Sequence, residues 1–317
     1  MTDLTSGLIS IVIPVFQESE ALSPFLAAIR HVLDQVGVSY EVVLVDDGSS
    51  DNTWPIIAQE AKTSATVRGF RLSRNFGKES ALCAGLEKAR GAAVVVMDGD
   101  GQHPASLLPE MIRMWRATGA DIVQAVKRSR GEESLSSKAG ALLFYAILDK
   151  FSGFDLRGAS DFKLMSRKTV DAWLRMGERN VFFRGMTAWM GFTTVQIPFE
   201  VAQRTQGHST WSYLKRLRLA ITGITAFSSL PLQLVTFAGG IFLVFSVILG
   251  VQTVYSKLAG QAVSGFATVI LLELIIGSLL MISLGVIGEY IARIYREVKG
   301  RPRYLVSEST ENDRDGV

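Results

Sequence analysis

From Leu219 through Ser256 the chain carries no Asp, Glu, Lys or Arg, and from Leu258 through Gly288 its only charge is Glu273. Each stretch exceeds the roughly 20 apolar residues a helix needs to cross a bilayer core, which predicts membrane spans near Leu230–Gln252 and Phe266–Tyr290. The linker between them is short, so the two form a hairpin. Cations flank it unevenly: Lys215, Arg216 and Arg218 precede the first span, Arg293, Arg296, Lys299, Arg301 and Arg303 follow the second, and Lys257 stands alone between them. By the positive-inside rule both ends then face the cytoplasm. Two buried helices of a soluble protein would not explain that asymmetry. The N-terminus opens without a basic-then-apolar signal sequence, since Leu8–Phe16 is short and reads as a strand. The large N-terminal part is therefore expected to stay in the cytoplasm.

Composition fits a soluble part joined to a membrane part: 48% of the 317 residues are hydrophobic, yet 20% are charged, too many for a polytopic transporter. A single cysteine, Cys83, excludes an intrachain disulfide and fits a reducing compartment, with a small core residue in a helix as its expected role. The formal net charge of +3 comes from cations gathered beside the hairpin, which points to anionic lipid headgroups and away from nucleic acid. Trp211–Phe227 places Leu214, Leu217, Ile221 and Ile224 on one side at helical spacing, with Lys215 and Arg218 on another, as expected of an interfacial helix. Leu135–Phe151 has a similar mixture. The polar tail from Ser307 is expected to lack fixed structure.

The first 127 residues have a different grammar. "LISIVIPV", "YEVVLVDD", "TVRGFRLS", "AAVVVMDGD" and "DIVQAVK" read as strands, and Glu20–Val36, Thr53–Lys62, Ser80–Ala89 and Ser106–Thr118 as helices. Apolar strands joined by helical crossovers predict a mostly parallel sheet covered on both faces. Ligands bind such sheets at the carboxyl ends of the strands. The informative residues are thus those where strands stop: 14–18, 46–50, 73–78, 98–102 and 127–130.

Some chemistries are missing from those ends. The loop "PVFQESE" has no glycine, so it is neither a dinucleotide fingerprint nor a phosphate-cradling P-loop, and the three histidines stand too far apart for a zinc site. Oxygen ligands remain. Asp98 and Asp100 alternate at the end of an apolar strand, with Gln102 two residues on, a set of hard donors suited to Mg²⁺ or Mn²⁺ holding substrate phosphates. Gly99 and Gly101 would let the backbone turn and approach a ligand. Asp46 and Asp47 close the second strand in the same manner, where a capped turn with Ser50 or Asp51 at the helix start is an equal reading.

In order and spacing, "IPVFQE", "VDDGSSDNT", "RNFGK" and "MDGDGQHP" resemble the family-two glycosyltransferases, and "QRTQGHSTW" with the terminal "GEYIARIYREVKGRPRY" is similar to their polyprenyl-phosphate branch. The resemblance implies an α/β fold: a Rossmann-like GT-A catalytic domain over 1–209, an interfacial helix over 210–228, a transmembrane hairpin over 229–298 and a cytoplasmic tail over 299–317. It implies that Pro14, Phe16 and Glu18 line a base and ribose pocket, with Val45, Asp46 and Asp47 also on the nucleoside side. Lys78, Asp98, Gly99, Asp100 and Gln102 would surround the diphosphate and its Mg²⁺ or Mn²⁺, with Asp98, Asp100 and Gln102 on the metal. Arg128 and Arg204 would reach phosphates, the latter beside Ser209. Asp161 matches a position assigned as a base in relatives, although a carboxylate there could equally orient an arginine. Related chains often carry lysine after that serine, whereas Thr210 and Trp211 stand here.

The reaction so implied transfers a hexose, glucose from UDP-glucose first among the candidates, to undecaprenyl phosphate with inversion at a bacterial plasma membrane. Other sugars, such as GlcNAc, mannose from GDP-mannose or aminoarabinose, are left open, as is a homo-oligomer. A processive polysaccharide synthase shares the core, but "RTQGHSTW" lacks the Arg-Trp pair those enzymes carry. A non-catalytic nucleotide-sugar sensor is the remaining alternative, and intact Asp98 and Asp100 speak against it.

Overall fold

The computed structural model describes residues 7–101, 103–127, 160–179, 181–199, 230–260 and 265–311. In the first of these, β1 (Ile9–Val15), β2 (Tyr40–Asp46), β3 (Val67–Leu72) and β4 (Ala93–Val96) alternate with α1 (Leu22–Val36), α2 (Thr53–Thr63) and α3 (Lys78–Lys88). A 3₁₀ turn, Ala105–Leu107, leads into α4 (Leu108–Thr118) and β5 (Ile122–Lys127). Then come β6 (Lys163–Ser166), α5 (Arg167–Arg175), α6 (Phe183–Trp189) and β7 (Thr194–Phe199). All five strands and four helices expected before residue 127 are present, with ends shifted by a few residues.

Why these segments adopt these forms follows from their spacing. Every residue of β1 is buried, as expected of a strand covered on both faces. In α1 the buried Leu22, Leu26, Ile29 and Leu33 recur at the 3.6-residue period, and the helix stops at Gly37, whose N–H bonds back to the carbonyls of Leu33 and Asp34. The same logic packs Leu108, Met111, Ile112 and Trp115 of α4 inward. These residues and the inner strand faces form one apolar cluster.

The sheet order is β7-β5-β6-β4-β1-β2-β3-β8. Strands β4, β1, β2 and β3 run parallel, so their carboxyl ends share one edge. Two antiparallel insertions depart from a continuous parallel sheet. β6 lies between β4 and β5, pairing antiparallel with both. At the far edge, β8 (Val306–Ser309) pairs antiparallel with β3. The second insertion corrects the reading of the tail: residues 307–309 are strand, not an unstructured tract. Polarity misled there, because an edge strand with every residue exposed needs no apolar pattern.

Two compact units emerge, one built on the sheet and taking in the chain again from Arg301, the other made of α7 (Leu230–Leu258) and α8 (Phe266–Val298). At 1.5 Å per residue these helices run about 44 and 50 Å, beyond the ~30 Å of a bilayer core. Both are long and apolar enough to cross a membrane, and none of their most apolar windows is buried within the protein. The expected amphipathic segments Leu135–Phe151 and Trp211–Phe227 lie outside the described residues.

Candidate active site

The parallel strands deliver their loops to one edge, and hydrogen bonds knit those loops together. The Asp47 N–H donates to the Val15 carbonyl at 2.9 Å. The buried Asp47 carboxylate accepts the Phe76 N–H at 2.7 Å and the Gly77 N–H at 2.9 Å, joining the loop after β2 to the loop after β3. Burial raises its pKa and those two amides pull it back only in part. Asp46 is wholly buried and turns one oxygen to the N–H of Ser49 at 3.0 Å and to its hydroxyl. Between them Gly48 has φ +71°, and a Cβ there would come within 2.5 Å of the Arg74 backbone, so only glycine fits. Ser49 in turn accepts the Gln17 N–H at 2.9 Å, and Thr53 accepts the Glu18 N–H at 2.9 Å. Gln17, with φ +56°, is the one non-glycine residue in the left-handed region among those described.

A second cluster stands beside this one. Because β6 runs antiparallel to β4 with Val96 opposite Lys163, residues beyond β4 meet residues before β6. That register brings Asp98 beside Asp161. Lys78, at the start of α3, bridges them, its Nζ 2.6 Å from Asp98 Oδ1 and 2.7 Å from Asp161 Oδ2. Arg184 of α6 completes the group with a two-pronged contact to Asp161 at 2.7 and 2.9 Å. Burial alone would raise the Asp161 carboxyl, but Arg184 and Lys78 outweigh it and hold it well below the usual carboxylate range. Burial also opposes the Lys78 charge, and Asp98 with Asp161 overcomes it, raising that pKa. Glu79 and Lys163 back the group. Glu79 accepts the Phe183 N–H at 3.0 Å and is pushed by burial, then by Asp161, up to about 7. Lys163 is buried, hydrogen-bonded to Thr187, and lowered by burial to about 8.

His103 sets the backbone of the acidic loop. Its Nδ1 accepts the Asp98 N–H at 2.9 Å, which places the ring proton on Nε2, and the ring stacks on Phe162 at 4.8 Å. Burial lowers its pKa, keeping it a neutral acceptor.

Asp98 is about a quarter exposed and Asp100 is exposed, in contrast to the buried Asp46 and Asp47. Glu18 feels Asp100: burial, then the charges of Asp100 and Asp51, raise its pKa. No cluster of three or more acidic, histidine or cysteine ligands occurs among the described residues. A Mg²⁺-like ion does not need one, since it takes one or two carboxylates and completes its shell with substrate phosphate and water. The pair Asp98 and Asp100 fits that habit.

The other expected site residues differ in their surroundings. Pro14 and Val45 are buried in their strands, Val45 facing Gly85 of α3, and so occupy core positions, while Phe16 is 40% exposed at the loop. Gly99 is close-packed on the protein itself: a Cβ would come within 2.8 Å of Val15, whereas Gly101 supplies the turn with φ +73°. Gln102, Arg128, Arg204 and Ser209 lie outside the described residues.

A model of the family described as glycosyl transferase family 2 matches residues 10–172, the stretch that contains both acidic loops and Asp161. The chain belongs to glycosyl transferase family 2. Its sheet is accordingly the GT-A catalytic fold, and the protein is a glycosyltransferase. An uncharacterized glycosyltransferase of Synechocystis sp. is 38% identical over 95% of this chain and 95% of its own length. A prophage-derived bactoprenol glucosyl transferase of Shigella flexneri is 37% identical over 95% of this chain and 98% of its own. A solved mannosyltransferase from Pyrobaculum calidifontis, in complex with GDP-Man and Mn²⁺, has a TM-score of 0.49 and 19% identity, covering 71% of this chain and 65% of the other.

Sequence reasoning did not single out Arg184, Glu79, Lys163 or His103 as members of this glycosyltransferase's site. Signals existed for two of them. Lys163 is a cation inside an otherwise apolar strand, "FKLM", and His103 directly follows the acidic loop. Arg184 and Glu79 join only through the antiparallel return of β6 and the placement of α6.

Proposed function

We propose that this protein transfers glucose from UDP-glucose to undecaprenyl phosphate, with inversion, giving a lipid-linked monophosphate sugar. The observation that carries the reading is the extent of the likeness to the Shigella flexneri bactoprenol glucosyl transferase, which runs over 95% of the chain and so takes in sheet and long helices alike. The same breadth disfavours a processive synthase.

Asp98 and Asp100 would hold Mg²⁺ or Mn²⁺, which when bound supplies positive charge to the leaving nucleoside diphosphate. Phe16, Glu18 and the turn of Asp46 and Asp47 present the nucleoside side, with Pro14 and Val45 supporting it from the core. Lys78 and Arg184 are cations within reach of the same place, and both are aimed by Asp161. An acceptor phosphate monoester has a second pKa near 6 and is already largely dianionic at neutral pH, so its oxygen attacks without a strong protein base. Asp161, ionised and held by two cations, therefore acts here as a positioning residue, the second of its two sequence readings. The resemblance adds Gln102 at the metal, and Arg128, Arg204 and Ser209 as phosphate contacts. Charge placement and positioning then do most of the work.

The two apolar helices would span the bacterial plasma membrane as a hairpin, with the catalytic domain and both termini cytoplasmic and flanking cations on anionic lipid. A panel of UDP- and GDP-sugars, offered to the purified full-length protein with undecaprenyl phosphate and Mn²⁺, tests the reading by mass spectrometry of the lipid. UDP-glucose should give glucosyl phosphoryl-undecaprenol. A different sugar on the lipid would reassign the donor, polymer would revive the processive synthase, and sugar released only into water would overturn lipid transfer.

A further inference from the structure

The C-terminal strand reaches back to the donor side of the sheet. β8 sits on the edge of β3 with Glu308 directly opposite Arg71 and Ser309 opposite Phe70. Bonds flank the pair: the Ser73 N–H donates to the Leu305 carbonyl at 2.8 Å, and the Thr310 N–H to the Gly69 carbonyl at 3.0 Å. Glu308 spends both its oxygens. One takes Arg71 Nη1 at 2.7 Å, the other the indole N–H of Trp54, in the first turn of α2, at 2.8 Å. Arg71 then points its remaining nitrogens at the turn after β2: Nη2 donates to the Ser49 carbonyl at 3.0 Å, and Nε lies 3.4 Å from Asp46 Oδ2. That Asp46 oxygen is buried and makes no hydrogen bond among the described residues, so Arg71 is the cation that compensates it. From Ser49 the connection continues to the Gln17 N–H, in the strained turn after β1.

We propose that Glu308 is a positioning residue for the donor nucleotide, acting through Arg71 to fix the Asp46–Ser49 turn and the Gln17 backbone behind it. The donor part of this inference rests on the reading of those two loops as the nucleotide side of the site. An ion pair as exposed as Glu308 and Arg71 adds little to global stability. Its effect lies in where it holds the guanidinium. Were Arg71 free to swing to solvent, the buried Asp46 charge would lose its compensation, an arrangement that a folded site tolerates poorly, and the turn would loosen locally. A remote carboxylate on a strand from the far end of the chain thereby controls a loop it never touches.

The test uses full-length protein in detergent, comparing wild type with Glu308→Ala, Arg71→Ala and the double variant. Without ligand, hydrogen–deuterium exchange should quicken at 46–53 and 16–19 in Glu308→Ala, while α1 and β4 stay as in wild type. The donor KM should rise about fivefold or more, the low end of coupling between linked sites, with kcat little changed. Tm should move by no more than about 3 °C. If Glu308 acts through Arg71, the double variant is no worse than Arg71→Ala. Exchange that quickens only at 68–72 and 306–311, with an unchanged donor KM, would overturn the proposal and leave β8 as a cover for the sheet edge. Failure of wild type to use UDP-glucose would count against the proposed function alone, because the ligand-free exchange pattern decides the link from Glu308 to the turn.

Discussion

Two acidic loops of this chain look alike on paper. Each closes a parallel strand with a pair of aspartates and a glycine, "VDDGSS" after β2 and "VMDGDGQ" after β4. Their surroundings differ in kind. Asp46 and Asp47 are buried; backbone N–H groups of Phe76 and Gly77 take both oxygens of Asp47, that of Ser49 takes one of Asp46, and Arg71 faces the other. Asp98 and Asp100 stand at the open side, Asp98 facing the ammonium of Lys78 rather than backbone donors. Carboxylates buried among amides build a loop; a part-exposed carboxylate that faces a lysine ammonium, as Asp98 does, would be available to a metal ion. In the proposed function the first pair would shape the nucleotide side of the site, and the second pair would hold the metal.

The contrast breaks most visibly at Asp100. Asp100→Ala should cut turnover by about 100-fold or more, the scale of losing metal-borne charge stabilisation, with an unchanged melting temperature. A large drop in Tm would instead put Asp100 with the loop builders. Asp47→Ala should do the reverse. It strands the Phe76 and Gly77 amides, a loss of about 1–3 kcal/mol, so thermal melting should fall by several degrees while kcat at saturating donor changes less than in Asp100→Ala. The third variant, Glu79→Gln, is read through the pH dependence of stability. Glu79 has a folded pKa of about 7 against an ordinary 4.5, so ionisation works against the folded state. Below pH 4.5 wild type and variant should melt alike, and between pH 4.5 and 7 the variant should become progressively the more stable. A constant difference across that range would mean the carboxyl is not held protonated.

Much of this was legible in the sequence because strand ends and helix faces are local. The apolar run through Val96 and the residues that follow it place Asp98 correctly without any tertiary knowledge, and the periodicity of Leu22, Leu26, Ile29 and Leu33 gives α1. Pairings across the sheet were not legible. Asp161 meets Asp98 only because β6 returns antiparallel, and Arg184 reaches Asp161 only because α6 packs behind it. Glu308 shows the same limit at the edge: a polar tail segment becomes ordered through backbone ladder bonds and ion pairs, which leave no hydrophobic pattern to read. In the acidic loop after β4, the motif does not show that Gly99 also packs against Val15, where a Cβ would come within 2.8 Å.

The division of labour between the two acidic loops is tested most directly by calorimetric titration of UDP into the full-length protein with and without Mn²⁺. In wild type, Mn²⁺ should tighten UDP binding by about tenfold or more, as expected if Asp98 and Asp100 hold a cation that supplies positive charge to the diphosphate. Asp100→Ala should bind UDP with the metal-free affinity in both conditions, and Asp47→Ala should bind more weakly in both yet keep the response to Mn²⁺. Equal UDP affinity with and without Mn²⁺ in wild type, or a full Mn²⁺ response in Asp100→Ala, would contradict the assignment.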